Sequence, residues 1–94
     1  MAQISVDQRP RRVRLTGSLD ASSAAELEEA LSRSECCVVD CRGVTALDGD
    51  VLRAFVAAHE HVEARGSHLI FLGLHGSPLE QVRLRCLDEI LHVA

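Results

Sequence analysis

The sequence predicts a single α/β domain over residues 1–94, in which helices pack on a mixed β-sheet in the order β-β-α-β-α-β-α-β. Stretches in which apolar and polar residues alternate, as in strands, are separated by longer stretches in which apolar residues recur at helical spacing. Two S-x-x-E sequences are typical of helix starts, and glycine or proline separates most of the elements. Strands that alternate with helices indicate a sheet whose later strands are joined by crossover helices.

The predicted strands are, in order, Ile4–Val6, Val13–Thr16, Cys36–Cys41, His68–Leu72 and Ile90–Val93. The first two alternate and form a hairpin with a turn over Gln8–Arg11, and Gly17–Ser18 ends the second. The third is apolar on both faces, which is typical of the centre of a sheet, and Arg42 and Gly43 end it.

The first and third helices are each predicted to begin at an S-x-x-E sequence, in which the serine and glutamate side chains bind backbone amides reciprocally. These sequences are Ser23–Glu26 and Ser77–Glu80, and Pro78 takes the first helical position of the third helix. The first helix ends within residues 32–35 and the third near Leu87. The residues expected to face the core are Ala24, Leu27 and Leu31 in the first helix, and Leu79, Val82 and Cys86 in the third.

The second helix is predicted over Asp50–Ala64, with Gly66 at its C-cap. Its core face consists of Val51, Phe55, Ala58 and Val62. Asp48 and Asp50 therefore lie at a helix N-terminus just beyond a strand, where unpaired amides favour negative charge. Either one aspartate only caps the helix, or the loop over Thr45–Asp50 is a working surface.

The composition excludes several classes of function. The net charge is −4, all ten basic residues are arginine, and the chain has neither tryptophan nor tyrosine for base stacking. A basic cluster, Arg9, Arg11, Arg12 and Arg14, is split by strand alternation and is expected to form a solvated strand edge. We therefore expect no nucleic acid partner. Because no apolar run approaches the ~20 residues of a membrane helix, we also expect no membrane insertion.

The four cysteines, Cys36, Cys37, Cys41 and Cys86, fit neither a zinc spacing nor a C-x-x-C redox motif. Adjacent strand residues point to opposite faces, so Cys36 and Cys37 cannot hold one metal ion together. Buried free thiols and the lack of a signal peptide are expected of a protein of the reducing cytoplasm.

The chain resembles the STAS domain, the fold of bacterial anti-sigma factor antagonists. The stretch Leu15–Asp20 (LTGSLD) resembles the L-T-G-x-L-D signature that follows the second strand in that family. Val38–Asp40, then Val44 and Leu47–Asp48, resembles the family's strand and its loop that ends in aspartate. The resemblance spans about Ile4 to Val93 and implies a protein-interaction module that regulates transcription or signalling.

The chain departs from the family at the loop that usually reads D-S-S-G-L or D-S-T-G-L. There the first hydroxyl residue is phosphorylated by a cognate anti-sigma kinase, and phosphorylation releases the partner. Here the segment is Asp48-Gly49-Asp50-Val51-Leu52, so the phosphoacceptor-equivalent position is Gly49, which has no hydroxyl. Either Asp50 places a permanent charge there, as a partial mimic of phosphate, or the domain binds its partner without this switch.

The resemblance implies a partner that is an anti-sigma factor with a kinase-like ATPase fold. The alternative within the family is an accessory subunit of a lipid-transport ATPase or of a stress-signalling assembly. The surface expected in either case consists of the Leu19–Ser23 loop, the Thr45–Asp50 loop and the outer stripe of the second helix, on which Arg53, Ala57 and Glu60 lie. The residues predicted to bind the partner are Asp20, Ser22, Asp48, Gly49, Asp50 and Arg53.

An enzyme is not expected, and neither a catalytic residue nor a cofactor or metal site is predicted. His59 and His61 point to different sides of the second helix, and His68, His75 and His92 are scattered along the chain. No nucleophile elbow, P-loop or H-E-x-x-H sequence is present. Asp48 and Asp50 alone supply two ligands, enough only for a weak hydrated Mg²⁺ site.

Overall fold

A computed structural model describes residues 3–8, 11–33 and 38–94. The strands are β1 (Gln3–Gln8), β2 (Arg11–Leu19), β3 (Val38–Leu47), β4 (Ile70–Leu72) and β5 (His92–Val93). The helices are α1 (Ala21–Arg33), α2 (Gly49–Ala64) and α3 (Gly76–Leu84), and a 3-10 turn follows at Leu87–Glu89. The predicted order of elements is confirmed. The tip of the predicted hairpin turn, Arg9 and Pro10, and the start of the predicted third strand, Cys36 and Cys37, lie outside the described residues.

The five strands form one mixed sheet in the order β1-β2-β3-β4-β5. β1 and β2 pair antiparallel, as predicted for the hairpin, and each later pair is parallel with a helix in the connection. β3 is the central strand, which confirms the interpretation of its apolar sequence.

Both β2 and β3 extend beyond their predicted ends. Gly17 and Ser18 lie inside β2, and β3 continues through Arg42 and Gly43 to Leu47, so the prediction that these residues end the strands is wrong. A Cβ atom on Gly43 would lie 2.8 Å from Thr16 Cγ2. Glycine at this position therefore permits the close approach of the two strands instead of ending one of them.

Irregular pairing hides the length of β3 from the sequence. The register between β2 and β3 shifts twice, between Arg14 and Thr16 and again between Gly17 and Ser18. Each shift adds one residue to β3 and reverses the alternation of its side chains. Val39 is therefore buried before the first shift and Val44 after it.

The core lies between the sheet and the helices and is almost entirely aliphatic. The rings of Phe55 in α2 and Phe71 in β4 pack with their centroids 4.6 Å apart. All four residues of the predicted α2 core face are buried, namely Val51, Phe55, Ala58 and Val62. In α1 the predicted residues Leu27 and Leu31 are buried and Ala24 packs against the core.

The starts of α1 and α3 differ from the prediction. α1 begins at Ala21, because Asp20 binds the first amides of the helix. The Asp20 carboxylate accepts a hydrogen bond from the Ser22 amide at 3.0 Å, and the Asp20 backbone carbonyl accepts one from the Ser23 amide. α3 begins at Gly76 with His75 as an N-cap that makes no side-chain hydrogen bond, so Pro78 is the third helical residue.

The ends of α2 and α3 differ in their chemistry. At the end of α2 the amides of Gly66 and Ser67 donate to the carbonyls of Glu63 and Val62, with Gly66 at φ +79°. The chain leaves the helix at the predicted glycine, but the C-cap is Arg65 and Gly66 is the residue after it. α3 instead ends at Leu84, before the predicted Leu87, and Cys86 follows in the left-handed region at φ 56°. Cys86 is therefore exposed, contrary to the prediction, whereas Cys41 is buried.

The second strand is not the solvated edge that the arginine pattern predicted, because β2 lies between β1 and β3. Arg14 is exposed, but an Arg12 guanidinium nitrogen lies 3.8 Å from the buried Asp40 carboxylate. Arg42 contacts the same carboxylate through two side-chain nitrogens at 2.8 and 3.0 Å and through its backbone amide at 3.1 Å. The Arg42 hydrogen bonds chiefly lower the pKa of Asp40 to about 2.

Across the described ranges, no helix combines the length and apolar character needed to cross a membrane.

Candidate partner-binding surface

The N-terminal end of α2 lies directly beyond the carboxyl end of β3. Asp48 is the single residue between the two elements, and its Oδ1 accepts a hydrogen bond from the Val51 amide at 3.1 Å. Its carbonyl also accepts the Leu52 amide at 3.2 Å. Asp48 is therefore the N-cap of α2.

The expected loop over Thr45–Asp50 is not a loop. Thr45 belongs to β3, whereas Gly49 and Asp50 form the first turn of α2. Asp50 is exposed, and its Oδ1 lies 3.5 Å from an Arg53 guanidinium nitrogen whose side chain is 84% exposed. Water screens such a pair, so Asp50 and Arg53 contribute little to stability and are free to contact another molecule.

Asp20 occupies the equivalent position one strand away. It links β2 to α1 as Asp48 links β3 to α2. Because Leu19 pairs with Leu47, both aspartates lie beyond the carboxyl ends of their strands, on the same side of the molecule. The Ser22 hydroxyl donates to the Asp20 carboxylate and lowers the pKa of that exposed group. The structure thus brings the predicted residues of both segments to the carboxyl ends of two adjacent strands, where each aspartate also accepts an amide hydrogen bond at the start of the following helix.

An apolar groove of about 450 Å³ runs along the outer side of α2. One wall, in α2, consists of Gly49, Leu52, Arg53, Val56, Ala57 and Glu60. The other wall consists of Arg85 and Leu87, which follow α3. We call these eight residues the α2 groove. It includes the stripe of Arg53, Ala57 and Glu60 that the helical spacing predicted on one side of the helix.

Arg85 is the residue of the α2 groove that the sequence did not reveal. A Cβ atom placed on Gly49 would lie 3.5 Å from one Arg85 guanidinium nitrogen and 3.6 Å from the other. The guanidinium therefore lies over the first residue of α2, 36 positions along the chain from Gly49. Only the folded position of the segment after α3 brings the two together.

The histidines are less scattered than the sequence indicated. His59, near the C-terminal end of α2, is buried, whereas His61 and His75 are exposed and lie apart from it. His68 and His92 come together beside the same end of the helix, with ring centroids 5.4 Å apart. These groups lie outside the α2 groove.

Comparisons with known proteins agree with this architecture. The family model described as Mlab, STAS domain, matches residues 2–92. An anti-sigma factor antagonist from Mycobacterium paratuberculosis superposes with a TM-score of 0.79 at 17% identity, covering 99% of this chain and 83% of that one. The anti-sigma factor antagonist SpoIIAA in its unphosphorylated form superposes with a TM-score of 0.69 at 13% identity, covering 100% of this chain and 87% of that one. Comparison with curated proteins gives no match.

Proposed function

This chain belongs to the family described as Mlab, STAS domain, and we propose that it works as a non-catalytic module that binds another protein through the α2 groove. The observation that supports the proposal most directly is the position of the groove. An open apolar surface begins at Gly49, the phosphoacceptor-equivalent position, and continues along α2. The predicted binding residues Asp48, Asp50 and Arg53 lie in or beside it.

The composition of the groove suits a protein partner. Val56, Ala57 and Leu87 give its walls apolar contact area, and Arg53, Glu60 and Arg85 add charges of both signs. Interfaces commonly combine an apolar centre with a charged rim, in which arginine is enriched. The groove therefore offers both contact area and charges that select a partner.

The family's usual phosphorylation switch has no acceptor at Gly49, and we propose that binding through the α2 groove is unswitched at this position. Asp50 is a poor substitute for a phosphate on residue 49, because its carboxylate lies next to Arg53 at 3.5 Å. A carboxylate also carries one charge where phosphate carries nearly two. A phosphate on residue 49 would instead lie beside the Arg85 guanidinium.

The partner we propose first is an anti-sigma factor with a kinase-like ATPase fold, the class that the resemblance implies. The second candidate is the ATPase subunit of a lipid transporter, or a stress-signalling assembly. The glycine at position 49 favours this second class, because a partner that is not a kinase needs no phosphoacceptor.

The proposal is tested by affinity capture from the native host's lysate with three forms of the chain. The Ala57→Arg variant fills the groove with a long charged side chain. Ala64→Arg makes the same change at an exposed position of α2 outside the groove. We expect the wild type and Ala64→Arg to capture the same ATPase and Ala57→Arg to lose it, with equal melting temperatures. Equal capture by all three forms would contradict the α2 groove as the binding surface.

A second experiment separates the two partner classes. If the captured protein is an anti-sigma kinase, Gly49→Ser restores a hydroxyl beside Arg85, and we expect it to be phosphorylated by the purified partner. Wild type incubated in the same way is the control, because Gly49 has no hydroxyl. Capture of a transporter ATPase, with no labelling of Gly49→Ser, would support the second class.

A further inference from the structure

Four side chains with metal-binding atoms meet at the C-terminal end of α2. Glu63 Oε1 lies 3.0 Å from His68 Nδ1, 3.1 Å from His92 Nε2 and 4.0 Å from His59 Nδ1. We call these four residues the Glu63 cluster. His59 and Glu63 are i and i+4 on α2, so they share one side of the helix, whereas His68 precedes β4 and His92 lies in β5.

We infer that the Glu63 cluster is a zinc site, with His59, Glu63 and His92 as the protein ligands. One ligand atom from each of these three residues lies within 4.8 Å of the other two. In a tetrahedral zinc site with bonds of about 2.0–2.1 Å, the ligand atoms are about 3.3 Å apart. The ligand atoms of the cluster are at most 4.8 Å apart, so each needs to move by no more than about 1–2 Å to reach that geometry.

The second observation is a buried nitrogen without a partner. The His59 side chain is only 11% exposed, and its Nδ1 has no hydrogen-bond partner among the described residues. A buried polar atom of this kind costs free energy unless something binds it. Glu63 Oε1 lies 4.0 Å from this nitrogen, too far for a hydrogen bond. A cation between the two would bind both.

The charge and access of the cluster also suit a divalent ion. Glu63 Oε1 lies within hydrogen-bond distance of His68 Nδ1 and His92 Nε2, so its carboxylate is held among the histidine rings. The side chains of His92 and Glu63 are 50% and 33% exposed, so an ion can enter from solvent and keep a water molecule as its fourth ligand. Imidazole with one carboxylate favours Zn²⁺ over Mg²⁺ or Ca²⁺, which prefer oxygen ligands.

His68 has a supporting role in this site. Its Nδ1 donates to Glu63 Oε1 and orients the carboxylate. When zinc binds, His92 changes tautomer, so that Nε2 offers its lone pair to the metal and the proton moves to Nδ1. No net proton has to leave His92 for this exchange.

The test is calorimetric titration of the chelator-treated full chain with Zn²⁺. We expect one zinc ion per chain, and an affinity that His92→Ala lowers by at least about 100-fold, since loss of a group that only supports a ligand already costs about 10- to 100-fold. His68→Ala is expected to fall in that smaller range. The matched controls His61→Ala and His75→Ala remove exposed histidines outside the cluster and should bind zinc as the wild type does.

Two further measurements keep the outcome unambiguous. Co²⁺ bound to the wild type tests the ligand types, because its visible absorption should show tetrahedral nitrogen and oxygen ligation without a thiolate band. Cys86→Ser should leave zinc affinity unchanged, because the exposed thiol is not a ligand. Absence of stoichiometric binding, equal losses in His92→Ala and His61→Ala, or a thiolate band would overturn the zinc site. None of these results depends on the proposed partner.

Discussion

The two ends of α2 are built in opposite ways. At the N-terminal end, the cap, the exposed carboxylate and the first groove residues are neighbours in sequence, from Asp48 to Arg53. At the C-terminal end, Glu63 meets His92, 29 residues away, as well as His59 and His68. A single helix thus presents one surface formed mainly by local sequence and one formed by distant segments.

The chemistry of the two ends differs in the same way. The N-terminal end displays an open apolar groove with charges at its rim, which is suited to contact with a protein. The C-terminal end concentrates ring nitrogens around one carboxylate, which is suited to a metal ion. The buried face of α2 lies between the two ends and packs on the core. Substitutions there should therefore affect both ends, whereas substitutions at one end should not affect the other.

The largest effect is expected where both ends depend on one residue. Phe55 is fully buried in the middle of α2 against Phe71, and Phe55→Ala should lower the free energy of unfolding by about 3–5 kcal/mol. Urea denaturation followed by circular dichroism measures this. Leu84→Ala is the control, because Leu84 is 79% exposed and its truncation should change little. Similar losses of stability in the two variants would contradict the role of Phe55 as the central core residue of α2.

A smaller effect is expected at Asp40, which touches neither end. Its pKa of about 2 lies below the ordinary 3.8, so the charged form stabilises the fold above pH 4 and that contribution is lost as the pH falls toward 2. The contribution is about 2 kcal/mol. Urea denaturation at decreasing pH should therefore show a steeper loss for the wild type than for Asp40→Asn.

The Asp40 variant also serves as a reference for the comparison of the two ends. At neutral pH, Asp40→Asn should keep both partner capture and zinc binding while it is less stable. Loss of either activity in this variant would mean that the activity responds to global stability, and variants of the α2 groove or of the Glu63 cluster would then need correction for it.

Separate substitutions distinguish the roles of Asp48 and Asp50 at the N-terminal end of α2. Asp48→Ala removes the cap of α2 and should cost about 1 kcal/mol, whereas Asp48→Asn, which can accept the same amide, should cost much less. Asp50→Ala breaks only the exposed contact with Arg53 and should leave the melting temperature unchanged. If Asp50→Ala nevertheless loses the partner, Asp50 contacts it directly. A large loss of stability in Asp50→Ala would instead assign Asp50 a structural role.

A small stabilising effect is expected at Gly49. Gly49 is not among the glycines with positive φ, and an added Cβ would meet the Arg85 guanidinium at 3.5 Å, an ordinary contact distance. Gly49→Ala should therefore raise the free energy of unfolding by about 0.4–1 kcal/mol by restricting the unfolded chain. Increased stability together with weaker partner capture would show that the open space at Gly49 serves the interface. A decrease in stability would contradict the helical backbone at this position.

Much of the fold followed from local patterns. The core face of α2, its start and its glycine stop depend on residues within a few positions of one another. The core face is confirmed, the helix begins at Gly49, one residue before the predicted Asp50, and Gly66 follows its C-cap, Arg65. The same local rules were wrong at the start of α1. There Ser23 had the sequence of a cap, but Asp20 lies nearer the end of β2 and accepts the first amides.

The sequence by itself determined the order of the elements, the aliphatic core and the absence of a hydroxyl at position 49, because these depend on residue type and short-range periodicity. The tertiary structure alone decided the length of β3, the position of Arg85 over Gly49 and the meeting of His59, His68 and His92 at Glu63. Register shifts reverse the alternation of a strand, and contacts between distant segments depend on how elements pack. Neither the register shifts nor the distant contacts can be recognised from the spacing of residues in the sequence.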